Sequence, residues 1–86
     1  MKLRENVTWE SLGEQVLVLV MDSDLLFELN DTAALAWHVL IDGGTEDEAI
    51  DTLTDRYEVT PEDAASAVAQ LRVELADRGI VESEYS

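Results

Sequence analysis

The sequence of 86 residues predicts an α+β domain, a three-stranded antiparallel β-meander followed by a three-helix bundle, because its apolar periodicity changes once along the chain. As far as Leu29 the apolar residues come in short Val- and Leu-rich runs separated by turn residues, which is the pattern of strands. From Asn30 onward, helix caps and apolar stripes at helical spacing take their place. The length allows one core, and no linker, repeat or low-complexity tract divides it, so residues 1–86 read as a single small domain.

The strands are justified in order. Val7 to Leu12 is the first, and Gly13-Glu14 supplies the tight connection that follows it. Gln15 to Met21 is apolar on both faces, which predicts the central strand. Asp22-Ser23-Asp24 makes the next turn, and Leu25 to Leu29 is the third strand. Short consecutive connections imply the order one, two, three and leave one side of the third strand without a partner. By the two-residue period, Leu25, Phe27 and Leu29 share one face, with Phe27 and Leu29 claimed by the core, while Leu26 and Glu28 share the other.

The helices are announced by their caps. Asn30 can accept from a first-turn N–H of a helix over about Asp31 to Ile41, and Gly43-Gly44 can provide its left-handed ending. Thr45-x-x-Glu48 is a capping box opening a second helix to about Glu58, with Ala49, Ile50, Leu53 and Tyr57 on one stripe. Thr60-Pro61 starts a third helix that Gly79 ends after Arg78, and Ile80 and Val81 are expected to fold back on the core. Trp37 follows the apolar stripe of the first helix and reads as core, and Trp9 as a cross-strand packing residue. Strands followed by three helices relate the architecture to the winged helix-turn-helix class.

Composition restricts the chemistry. Twenty Asp and Glu against five Lys and Arg give a formal charge of −15. Such a surface repels phosphate backbones and anionic lipid, which argues against nucleic acid and membrane as ligands despite the winged-helix architecture. The acidity reads either as a solvated surface that keeps a small domain soluble or as complementarity to a basic peptide. The 47% of hydrophobic residues is enough for a core, so the chain is not an acidic disordered tail. No apolar run reaches the length of a signal peptide or a membrane span, and the absence of cysteine makes the cytoplasm the expected compartment.

Catalytic and metal signatures are missing. His38 is the only histidine, so a metal site would have to rest on carboxylates at unsupported spacing, and no cofactor is implied. No serine or threonine occupies a strand-to-helix elbow near His38, and glycine-rich phosphate motifs are absent. The chain therefore reads as a binding module without catalysis of its own.

Its most informative run is Leu29-Asn30-x-Thr32-Ala33-x-x-Ala36-Trp37-x-Val39-Leu40-Ile41-Asp42-Gly43-Gly44-Thr45-x-x-Glu48-Ala49-Ile50-x-x-Leu53-x-x-x-Tyr57. Together with Trp9, Gly13-Glu14, Val16, Phe27 and the closing Val68-x-x-Leu71-x-x-x-Leu75-x-x-x-Gly79-Ile80-Val81, this order and spacing resembles the PqqD family of peptide-recognition domains over nearly the whole chain. Two departures are Arg72, where an apolar residue is expected, and the aliphatic Leu25-Leu26.

The resemblance implies that the chain binds the leader segment of a ribosomally made precursor peptide and presents it to a modifying enzyme or leader peptidase. The leader would add as a strand to the edge from Ser23 to Glu28, that is Ser23, Asp24, Leu25, Leu26, Phe27 and Glu28, and lie against the third helix. On that helix Ala64, Val68, Leu71 and Leu75 form the packing stripe. Ala65, Ala69, Arg72 and Ala76 form a neighbouring stripe of small residues around one cation, and these four with Val68 are the expected helix contacts. A free-standing domain of this length resembles the leader-binding half of a split lasso-peptide system, and the acidic surface suits a basic leader. The same open edge also fits a second copy of the chain. Two readings from other classes stand beside this one. Asp22-Ser23-Asp24-Leu25 loosely echoes the Asp-Ser-Leu of acyl or peptidyl carrier proteins, although Ser23 falls between strands, and the charge also suits an acidic regulatory subunit that docks to an enzyme.

Overall fold

The computed structural model describes residues 2–81. The elements run β1 (Val7–Leu12), β2 (Gln15–Val20), β3 (Leu25–Asn30), α1 (Asp31–Ile41), α2 (Glu46–Arg56) and α3 (Pro61–Asp77). The strands form one antiparallel sheet in the order β1-β2-β3, the meander expected from the short connections. The turn at Gly13 uses a φ of +62°, open to glycine at little cost. β2 ends at Val20, one residue earlier than expected, and the N–H of Met21 donates to the carbonyl of Asn6 at 2.9 Å at the start of the turn into β3.

Register decides what each face carries. Trp9, Val18 and Phe27 are cross-strand neighbours on the inner face, as are Val7, Val20 and Leu25. Val16, Val18, Val20 and Leu29 are buried there, while Phe27 stays half-buried and so belongs only partly to the core. The outer face carries Leu17, Leu19 and Leu26 beside Thr8, Glu10 and Glu28. Its apolar residues remain half-buried or exposed.

α1 lies on the inner face and buries Ala34, Ala36, Trp37 and Leu40. The fully buried indole of Trp37 meets Trp9 edge to face at 5.7 Å between centroids, so two residues far apart in sequence meet in one aromatic contact. The strand enters this helix with no connecting loop, and the corner is made at Asp31, whose φ is +45°. A short polar side chain tolerates that left-handed geometry better than a branched one. Asn30, expected to cap α1, makes no side-chain cap bond. Its Oδ1 instead accepts from Gln15 Nε2 at 2.8 Å, because Gln15 is its cross-strand partner on β2.

The other caps act as the sequence predicts. The Thr45 hydroxyl accepts from the N–H of Glu48, and Glu48 Oε1 accepts from the N–H of Thr45, both at 3.1 Å. Thr60 Oγ1 accepts from the N–H of Asp63 at 3.1 Å, and Pro61 occupies the start of α3. α2 ends at Arg56, two residues earlier than expected, where Tyr57 turns extended. α3 buries Ala64, Val68, Leu71 and Leu75, the whole predicted packing stripe. After Gly79, at φ +72°, Ile80 and Val81 return to the core. The N–H of Arg4 donates to the carbonyl of Ile80 at 3.1 Å and Leu3 bridges Val81, so the two ends of the described chain hold each other.

Candidate functional site

The sheet has only three strands, so β3 presents one side of its backbone with no strand beside it among the described residues. α3 runs past that side without closing on it. Both elements pack on α1, yet no Cα of β3 comes within 8 Å of a Cα of α3. A strand beside β3 would lie about 4.8 Å from it, on the side that faces α3.

The gap is a groove of about 260 Å³. Phe27, Glu28, Leu29 and Asn30 form its strand wall and Ala33 of α1 its closed end. Ala67, Gln70, Leu71 and Glu74 form its helix wall. Phe27 and Leu29 face the helices, whereas Glu28 belongs by the strand period to the outer face and borders the groove at the strand edge. The guanidinium of Arg78 covers the Phe27 ring at 4.7 Å from its centroid, a cation–π contact. Backbone groups on one wall and a helix face of mixed apolar and polar side chains on the other can hold an extended peptide by main-chain hydrogen bonds and alternate side-chain contacts.

The structure separates the expected site residues into four groups. Phe27 and Glu28 line the groove, and Leu25 and Leu26 continue the same strand, with Leu26 exposed on the outer face. Ser23 and Asp24 lie in the turn before β3 and do not extend the edge as strand, because Asp24 adopts a φ of +53° there. This strand-to-strand turn is also no place for a carrier-protein serine, which should open a helix. Val68 is 1% exposed and belongs to the core.

The small-residue stripe Ala65, Ala69, Arg72 and Ala76 lies on the flank of α3 away from this groove. Arg72 Nη1 donates to Glu46 Oε2 of α2 at 2.9 Å, which turns this flank toward α2. On the helical wheel the groove residues Ala67, Gln70 and Glu74 lie on the opposite side of the buried stripe. The Arg72–Glu46 pair also explains the departure at Arg72: the position faces a partly exposed acidic first turn, not the core. The pattern along α3 alone left both flanks of the apolar stripe equivalent. The available signal was the acidic first turn of α2, a ready partner for the lone cation on one flank.

Elsewhere the molecule offers little chemistry. A smaller cavity of about 180 Å³ lies between the Gly13-Glu14 turn and the helices, with Asp31, His38, Arg56 and Tyr57 on its walls. The Ser11 hydroxyl stands 3.4 Å from His38 Nε2, a long surface contact. No group of metal-ligating side chains occurs among the described residues, and no helix of the described chain is long and apolar enough to cross a membrane.

Fold and groove together define a class: a small α+β domain with an open sheet edge facing a helix, built to accept a strand. Residues 15–81 match the family model described as coenzyme PQQ synthesis protein D, and the chain belongs to this PqqD family. It is similar to a solved structure described as lasso peptide synthetase B1 complexed with the leader peptide, at 30% identity over 95% of this chain and 96% of the other, with a TM-score of 0.88. The fold is also that of TbiB1 in complex with the TbiA(beta) leader peptide, at 20% identity, full coverage of both chains and a TM-score of 0.88. No curated protein matches the chain.

Proposed function

We propose that this domain binds the leader segment of a ribosomally synthesised precursor peptide as a fourth strand on β3 and delivers it to a modifying enzyme or leader peptidase in a lasso-peptide pathway, without catalysing a reaction itself. The observation that carries this reading is the unpaired β3 edge facing α3 across an unfilled groove. The likeness to two chains described in complex with leader peptides supports it.

The energetics are adequate. Roughly four or five backbone bonds at about 1 kcal/mol each, with two or three apolar side chains at about 2 kcal/mol each, give a gross gain of about 8–11 kcal/mol. Ordering a disordered leader subtracts about 2–5 kcal/mol, and lost tumbling subtracts more. The upper end of the gross gain exceeds these costs, and attraction between opposite charges adds to it. A second surface that docks the enzyme would then hold the core peptide at high local concentration.

The test is fluorescence anisotropy with the labelled leader of the precursor encoded beside this chain, a scrambled leader, and leaders N-methylated at alternate backbone positions. Saturable binding of the true leader is expected, abolished in one alternate methylation series and spared in the other, because only every second N–H of an added strand faces β3. Equal binding of the scrambled peptide, or indifference to both methylation series, would overturn strand addition.

A further inference from the structure

We propose that Glu74 selects a Lys or Arg at one defined position of the bound leader; the inference rests on the leader-binding reading and names what its groove recognises. Glu74 is half-buried on the helix wall of the groove. Its carboxylate makes no hydrogen bond or ion pair among the described residues. Arg72, two residues before it, is held by Glu46 on the opposite flank, and Arg78, one turn further on at the end of α3, has its guanidinium engaged over the Phe27 ring. A strand laid over this wall would strip water from an unpaired carboxylate. That is unfavourable unless the strand supplies a cation or hydrogen-bond donors of its own.

The geometry restricts the contact to one leader position. Along α3 the groove presents Ala67, Gln70 and Glu74, which the helical rise spaces about 4.5–6 Å apart. Side chains on one face of a strand recur about every 6.7 Å, so over the three positions the strand outruns the helix by about 3 Å, within the reach of a glutamate side chain. Successive inward-facing leader residues therefore pass the three helix positions one at a time. The first meets the space between Ala33 and Ala67, where two methyl groups leave room for a bulky apolar side chain. The next lies over Gln70 and Leu71, and the third reaches Glu74. The flanking Leu71 and Phe27 would pack on the aliphatic stem of a Lys or Arg while its head meets the carboxylate. The overall charge of −15 draws a basic segment in from any direction, and Glu28 borders the groove from the outer face of β3, so the requirement on an inward-facing leader residue rests on Glu74.

The test uses a random dodecapeptide display library as probe, selected on the wild-type protein and on Glu74→Gln and Glu74→Lys. Near-ultraviolet circular dichroism of Trp9 and Trp37 serves as the folding control for each variant. The expected wild-type result is a peptide family with Lys or Arg enriched at one position, two residues from a conserved inward-facing position. Glu74→Gln should erase that preference and Glu74→Lys replace it with Asp or Glu. The best wild-type peptide should bind Glu74→Gln about tenfold more weakly than wild type, as expected for the loss of a charge-assisted contact. Enriched peptides with no basic position, or a basic position that persists in Glu74→Gln, would overturn the role of Glu74 while leaving peptide capture standing. A folded wild-type protein that enriches no peptide would overturn both.

Discussion

At Gly44 the main chain approaches its neighbour too closely for any side chain. A Cβ there would sit 2.7 Å from both the carbonyl oxygen and Cγ1 of Val39, while the N–H of Gly44 donates to that same oxygen at 2.9 Å. Gly44→Ala should therefore destabilise the domain by about 1–3 kcal/mol, as overpacking does, with a thermal midpoint lower by about 4–8 °C per kcal/mol. Thermal denaturation followed by circular dichroism checks this. Asp31 is the complementary case, since its φ of +45° is needed where β3 runs directly into α1. Asp31→Val should cost about 1–2 kcal/mol, because a β-branched residue resists the left-handed region. Trp37 carries the one buried side-chain donor, Nε1, that finds no acceptor among the described residues. Its ring meets Trp9 edge to face, and Trp9 in turn meets the ring of His38.

At the level of elements, α3 has two flanks with different duties, and substitutions can separate them. Ala67→Trp fills the groove from an exposed position, so leader affinity should fall more than tenfold with little loss of stability. Arg72→Ala acts on the flank facing α2 and removes an ion pair whose side chains are 28% and 46% exposed, which contributes about 0.2–1 kcal/mol. Leader affinity should stay within about twofold of wild type in that variant. Anisotropy titration and thermal melts of the two variants together decide whether the groove flank has been assigned correctly. The capping box makes a separate contribution: Thr45→Ala removes the hydroxyl that accepts from the N–H of Glu48 at the start of α2 and should cost about 1 kcal/mol without touching the groove.

For the molecule as a whole, charge is the dominant quantity. At −15 the domain repels itself, and screening that repulsion should raise the thermal midpoint as sodium chloride is added at neutral pH. Capture of a basic leader should weaken over the same range, since the attraction is screened together with the repulsion. Opposite salt responses of stability and affinity are the expected signature, and a salt-independent affinity would confine the acidic surface to solubility. Pairing of two copies edge to edge at β3 would bring two such charges together, with Glu28 on each edge. Light scattering behind size exclusion should accordingly find a monomer at low salt.

The elements and the inner faces were legible in the sequence because their causes are local. Alternating Val and Leu, a two-residue turn, a threonine three residues before a glutamate and a glycine after an apolar stripe act over a few residues wherever they stand. These features predicted β1, the central place of β2, the open edge of β3 and the buried stripe of α3. The groove depends on which flank of α3 faces β3, and that follows from how α2 and α3 settle on α1. The helical period treats the two flanks alike, and the ion pair from Arg72 to Glu46 spans two helices. Asn30 shows the same limit at one residue: a side chain suited to cap a helix is taken up by Gln15 across the sheet. Local chemistry thus determined what each segment becomes, while the site itself was decided only by tertiary packing, because contacts between distant segments select one of several locally equivalent faces.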